Sequence, residues 1–300
     1  MSVEGELKQL LEAGVHFGHQ SSRWNPKMKK FIFASRNGIH IIDLKKTLQA
    51  LHEAQRAVRD VTLNGDRVLF VCTKRQLRPI VEAEAQRSGS FFVTERWLGG
   101  MLTNFSTIKK QIRRLKELER GLEEGAYEFY TKKEQLMLSR ERDKLAKYLS
   151  GVKEMGRLPG AVFVIDAKKE TIAVKEANKL GIPVIAIADT NADPDAIDYP
   201  IPGNDDAIRS VGVITGMIAD AIEQARREMP ADARRRSDEG DATTYSTEGG
   251  LAQEAPAEDR GKRRRPRRKR RPRADVIANL RTHEDGSEPA AEGEVAEPEA

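Results

Sequence analysis

The chain has 300 residues and a formal net charge of +5, with 38% hydrophobic and 5% aromatic residues. So few apolar residues argue against a wholly packed chain. The longest apolar runs, such as Ala161–Ile165 and Val184–Ala188, fall far short of the roughly 20 residues that span a bilayer. The lone cysteine, Cys72, excludes an internal disulfide and cysteine-based metal clusters, which fits a reducing cytosol.

The small net charge hides an uneven distribution. Residues 1–230 carry 37 basic and 31 acidic side chains, and residues 231–300 carry 15 and 16. Inside the second segment, RGKRRRPRRKRRPR (260–273) holds 11 cations in 14 residues with no acid. The stretch MSVEGELKQLLEAG has no basic region ahead of an apolar one, so it does not read as a secretory signal.

In chain order, residues 3–12 fit a short amphipathic helix stopped at Gly14. A loop dense in cations and aromatics follows at 16–33. Phe31–Phe33 and Ile39–Ile42 are short strand candidates around the hairpin signal Asn37-Gly38. Residues 45–63 return to helical spacing. Strands are expected at Val68–Cys72, Phe91–Val93, Ala161–Ile165, Val184–Ala188 and Tyr199–Ile201. Helices are expected at 75–87, at 168–180 with Gly181 as C-cap, and from an Asn204 cap to about residue 228. Unbroken apolar strands alternating with helices indicate an α/β fold whose parallel sheet is covered on both faces.

Between Val93 and Ala161 lie 67 residues, more than one crossover helix needs. Ile108, Ile112, Leu115, Leu118 and Leu122 form one apolar seam, and Leu138, Leu145, Leu149 and Val152 another. The spacing predicts an antiparallel coiled-coil hairpin at 104–155 inserted between body segments 1–103 and 156–229. Residues 230–300 hold a single aromatic, Tyr245, and are expected to form a disordered tail.

The strand ends carry no nucleotide loop. Thr73-Lys74-Arg75-Gln76 and Asp166-Ala167-Lys168-Lys169 contain no glycine, whereas a dinucleotide site needs it for close approach to the pyrophosphate. Gly99-Gly100 is either a backbone hinge or a close approach to RNA. Asp166, Asp189, Asp193, Asp195, Asp205 and Asp206 could hold Mg²⁺ for phosphoryl transfer, with His16 and His19 as further candidate ligands. The opposing reading is turn and helix-start chemistry. No Ser/His/Asp or Cys/His constellation is legible, so no catalytic residue is assigned.

The cations point to nucleic acid. Arg23, Trp24, Asn25, Lys27, Lys29 and Lys30 form one cluster, with Arg36 close behind. Lys74 and Arg75 follow a strand. Arg96 and Trp97 precede Asn104, Lys109, Lys110 and Arg113. In the tail, Arg263, Arg264, Arg265, Arg267 and Arg268 form the densest part of the basic run. Such side chains neutralise phosphates, and aromatic planes stack on unpaired bases. Solvated surface is the competing reading for each cluster alone, and nothing in them separates RNA from DNA.

Seven stretches, in order and spacing, resemble a known family: AGVHFGHQSSRWNPKMKKFIF (13–33), RNGIHIIDLKKT (36–47), VLFVCTKRQ (68–76), RWLGGMLTN (96–104), LPGAVFVIDAKKE (158–170), EANKLGIPVIAIADTNADPD (176–195) and IPGNDDAIRS (201–210). They are similar to the bacterial small-ribosomal-subunit protein S-two family over residues 3–228. The resemblance implies a flavodoxin-like five-stranded parallel sheet with an inserted coiled-coil hairpin. It implies a non-enzyme that binds small-subunit rRNA, contacts neighbouring ribosomal proteins and helps dock the large mRNA-binding protein numbered one. It implies a cytoplasmic, ribosome-associated location, and it says nothing of the tail. The alternatives from the residues alone are a Mg²⁺-dependent phosphotransferase and a free nucleic-acid-binding regulator.

Overall fold

A computed structural model describes residues 3–230. The tail, with its expected disorder and its basic run, lies outside the described residues. Helix α1 (Val3–Glu12) leads into strands β1 (Phe17–Gln20), β2 (Ile32–Arg36) and β3 (Ile39–Ile42), which form a small antiparallel sheet in the order β1-β3-β2. Asn37 and Gly38 turn β2 into β3 with φ of 52° and 76°, the left-handed pair that an Asn-Gly hairpin supplies. Strand β1 has no signal in the sequence. Four residues interrupted by Gly18 have no readable alternation, and a Cβ on Gly18 would sit 2.6 Å from Thr190 Cγ2.

After α2 (Leu44–Leu63), the chain builds β4 (Val68–Val71), α3 (Arg78–Ser88) and β5 (Phe91–Val93). Then come α4 (Phe105–Glu123), α5 (Lys132–Leu149), β6 (Ala161–Ile165), α6 (Thr171–Leu180), β7 (Val184–Ala188), β8 (Tyr199–Pro202) and α7 (Ile208–Glu228). The five later strands are all parallel, in the order β5-β4-β6-β7-β8. This is a doubly wound sheet whose order reverses between β4 and β6.

Alternation along each strand divides the core. Val68 and Phe70 face α2, α3 and α7, while Leu69 and Val71 face α6, the base of α4 and the loop after β5. Phe70 and Phe163 meet edge to face at 5.2 Å, tying the two central strands on one side.

Three helices start later than their spacing suggests. Residues 74–77 form a turn before α3, where Pro79 occupies the first helical turn. Asp166 takes a left-handed φ of 68°, and its carboxylate accepts the Lys169 N–H, so a turn precedes α6. Asn204 accepts from the Asp206 and Ala207 N–H groups in a turn ahead of α7 rather than capping it directly.

Helices α4 and α5 lie side by side. Thr131 and Glu134 close a capping box at the start of α5, and Arg114 meets Glu141 at 3.0 Å. Ile108, Ile112, Leu115 and Leu118 are buried on α4, and the first three join the main core with Leu149. On α5 the expected seam is shallower, because Leu138 and Leu145 are half-buried. No helix among the described residues is long and apolar enough to cross a membrane.

Candidate nucleic-acid interface

A parallel sheet delivers the C-terminal ends of all its strands to one edge. In open α/β sheets the crevice at the order reversal is the usual ligand site. Here that crevice is filled by an ion cluster. The Lys74 ammonium, after β4, lies 2.8 Å from Asp166 after β6, 2.9 Å from Asp205 and 2.7 Å from Asp206. It also donates to the Asp205 carbonyl at 3.1 Å. Burial disfavours the lysine's charge, but Asp205, Asp166 and Asp206 outweigh it and hold its pKa above the usual value. Burial pushes Asp205 up to about 7, with the nearby Asp166 charge adding and Lys74 opposing. The Lys74 bond holds exposed Asp206 below the usual carboxylate range. Beside this cluster Glu170 accepts the Thr73 N–H at 3.1 Å and the Thr73 hydroxyl.

The N-terminal sheet closes over the end of β7. His19 N–H donates to Asp189 Oδ1 at 3.1 Å and to Thr190 Oγ1 at 3.0 Å, and Asn25 N–H donates to the Thr190 carbonyl at 2.7 Å. His19 Nδ1 lies 2.8 Å from Asp189 Oδ2. That bond raises the imidazole pKa, against burial and with help from Asp189, Asp205 and Asp206. Ligand atoms of His19, Asp205 and Asp206 fall within 4.8 Å of one another, although Lys74 already pairs with both aspartates. Asp189 instead orients His19, and His16 does not join the group. Burial lowers the His16 pKa, and its Nδ1 has no partner among the described residues.

The expected contact residues separate into engaged and free. Lys27 bridges Asp193 and Asp195 at 3.0 and 2.7 Å, and Lys74 is locked in its cluster. Neither has an uncommitted charge. Trp97 is a correction to its expected stacking role. It is buried, its indole N–H donates to Glu176 Oε1 at 3.1 Å, and no face is open to a base. Trp24 is half-buried against His40 with ring centroids 5.2 Å apart, and Asn25 caps a short turn by accepting from Lys27 N–H. Lys30 lies over the Phe31 ring and Lys109 over Phe105. Arg23, Lys29, Arg36, Arg75, Arg96, Lys110 and Arg113 are exposed and form no ion pair among the described residues. Asn104 is exposed beside them at the start of α4. Arg263, Arg264, Arg265, Arg267 and Arg268 lie outside the described residues.

Sequence reasoning missed two sets of residues here. Lys168 and Lys169, after β6, are exposed and form no ion pair among the described residues, at the same edge as Arg75 and Arg96, and the Lys169 charge helps lower the pKa of Asp206. Their position after an apolar strand was the available signal. The second is Glu176 on α6. Its two oxygens accept from Trp97 Nε1, from the Gly100, Leu102 and Thr103 N–H groups and from the Thr103 hydroxyl, at 2.8 to 3.1 Å. One buried carboxylate thus folds the loop that follows Arg96. Nothing in the sequence marks it. Cys72 is buried, and burial pushes its thiol up to about 11, so it stays protonated and unreactive.

The arrangement is an edge whose carboxylates are engaged internally and whose outer cations face solvent. A profile described as Ribosomal protein S2 matches residues 10–225. The chain is 54% identical over 251 residues to the small ribosomal subunit protein uS2 of Syntrophobacter fumaroxidans, covering 84% of this chain and 89% of that protein. It is 57% identical over 222 residues to the small ribosomal subunit proteins uS2 of two strains of Treponema pallidum, one of them strain Nichols, covering 74% of this chain and 76% of each. The sheet, the glycine-free strand ends and these matches agree, and the chain belongs to the ribosomal protein S2 family.

Proposed function

We propose that the chain binds small-subunit rRNA along the C-terminal edge of its parallel sheet and the adjoining base of α4. As a member of its family it is a structural constituent of the small ribosomal subunit, acting in translation and not as an enzyme. One observation carries the choice of surface. At this edge Lys74, Lys27 and His19 engage the acidic side chains, which leaves Arg75, Arg96, Lys168 and Lys169 without an ion pair among the described residues and available to phosphates. Arg23, Lys29, Lys30 and Arg36 continue the track over the small sheet, and Lys109, Lys110, Arg113 and Asn104 continue it along α4.

Neighbouring small-subunit proteins, including the large mRNA-binding protein numbered one, are the further partners. The small sheet offers them an apolar surface, with Phe17 51%, Phe33 77% and Ile39 39% exposed. The hairpin of α4 and α5 serves as a short coiled coil, and the compartment is the cytoplasm. A structural divalent cation, Mg²⁺ included, would be held by His19, Asp205 and Asp206, where the ligand atoms cluster. The basic run 260–273 adds a second polyanion contact.

Co-sedimentation tests the edge. The full chain should travel with small subunits at moderate salt, and Arg75, Arg96, Lys168 and Lys169 changed together to Ala should reduce that association. Unchanged association by the quadruple variant would remove the edge from the interface.

A further inference from the structure

The loop that Glu176 gathers also forms one wall of a cleft. Helices α4 and α5 supply the opposite wall, and the space between measures about 490 Å³. That falls in the roughly 300–1,000 Å³ range of small-molecule pockets. Leu98, Leu145 and Tyr148 give it apolar sides, and Asn104, Gln111 and Lys144 bring polar groups to it. Glu141 also borders it but is tied to Arg114 by bonds of 3.0 and 3.2 Å. Lys144 is therefore the one uncommitted charge at the cleft among the described residues. The Gln111 amide and the Asn104 amide nitrogen are likewise unpartnered among the described residues. Gly99 forms the lip, where a Cβ would meet no atom within 4 Å, so a flat ring can approach bare backbone.

From these features the geometry points to a subsite for one unpaired rRNA nucleotide. Its base lies against Tyr148 and Leu98, the amides of Asn104 and Gln111 read its edge, and Lys144 meets its phosphate. The subsite rests on the rRNA-binding reading above and refines it. Charge selects this occupant. An apolar peptide segment would leave Lys144 without a counter-charge, whereas a phosphate supplies one. Arg96 and Lys110, neither in an ion pair among the described residues, extend the cationic path outside the cleft. The Glu176 bonds set the loop before any ligand arrives, so little ordering is needed on binding.

The test uses small subunits assembled with the full chain or with its Gly99→Leu variant, which plugs the lip without displacing a neighbour. Chemical probing of rRNA bases should show one unpaired nucleotide protected by the unaltered chain and reactive with Gly99→Leu, the rest of the footprint being unchanged. Affinity of the variant for free small-subunit rRNA should fall roughly tenfold, the scale of one lost base stack. Tyr148→Phe should keep the protection and Tyr148→Leu should lose it. Identical footprints for the unaltered chain and Gly99→Leu would overturn the subsite while leaving rRNA binding in place. Absence of any rRNA protection by the unaltered chain would overturn both. In a density map of the subunit, an RNA base in the cleft is the expected result, and a protein segment there would refute the assignment.

Discussion

The carboxylate of Glu176 accepts the indole N–H of Trp97 at 3.1 Å across 79 positions of sequence. Four more donors from residues 100–103 converge on the same group. Truncation strands the buried Trp97 and Leu102 N–H donors, at about 1–3 kcal/mol for each unsatisfied group, while the Gly100 and Thr103 donors can turn to water. Glu176→Ala should therefore lower unfolding stability by at least about 2 kcal/mol, measured by urea denaturation. Glu176→Gln should cost less, since one oxygen remains to accept. A loss below about 0.5 kcal/mol for the alanine variant would show that the loop does not depend on this carboxylate.

The same group sets an acid limit. Burial works against its charge, but donors from Gly100, Thr103, Trp97 and Leu102 prevail and hold its carboxyl below the usual range. A depressed carboxyl contributes stability above its unfolded pKa of about 4.3, and that stability is lost as pH falls through the folded value. Thermal midpoints followed from pH 6 down to about pH 2 should fall less steeply for Glu176→Gln than for the unaltered chain. Parallel curves would refute the assignment. Asp193, Asp206, Glu134 and Glu141 are depressed as well and add to the acid slope, whereas Asp205, raised to about 7, opposes it.

Lys74 and Arg75 are neighbours with opposite roles. Lys74→Met removes the ammonium shared by Asp166, Asp205 and Asp206, and of the three only Asp206 keeps an ion-pair partner among the described residues, His19 at 3.6 Å. Breaking such a buried pair costs about 3–5 kcal/mol. Arg75→Ala should stay within about 0.5 kcal/mol of the unaltered chain. Chemical denaturation of the two variants side by side measures the contrast, and equal stabilities would refute it.

Free cations should register in the salt dependence of rRNA binding. Each phosphate contact contributes about 0.7 to 0.9 to the log–log slope. Replacing Arg75, Arg96, Lys168 and Lys169 by Ala should make that slope shallower by about 3, without moving the thermal midpoint. Filter binding at several salt concentrations gives the number. A slope that does not change would show that these side chains miss the phosphates.

The basic run 260–273 lies outside the described residues, but its charge makes a prediction of its own. If all 11 cations met single-stranded RNA, the slope would steepen by roughly 8. Acidic flanks compete for the same cations and should reduce that figure. A chain shortened after Met229 should therefore bind with a visibly shallower slope than the full chain. Coincident slopes would exclude the run from RNA contact.

Several parts of this protein were legible before any tertiary contact was known. The five apolar strands, the Asn37-Gly38 turn, the long insertion after Val93 and the glycine-free strand ends are local patterns, set by side-chain periodicity and backbone preference. The family resemblance rested on those same stretches. Other features depend on closure of the sheet. Strand β1 exists because Gly18 packs under Thr190, and His19 is oriented by Asp189, which is 170 positions away. Trp24 and Trp97 look alike as Arg-Trp pairs, yet one lies half-buried beside His40 and the other is buried on Glu176. Lys74 and Arg75 differ by one position, and only the direction of the chain leaving β4 decides which meets the aspartates. The sequence by itself determined how many cations and carboxylates this edge has. The tertiary structure decided which of them neutralise each other and which face solvent, because charges pair by distance in space and the partners come from strands far apart in the chain.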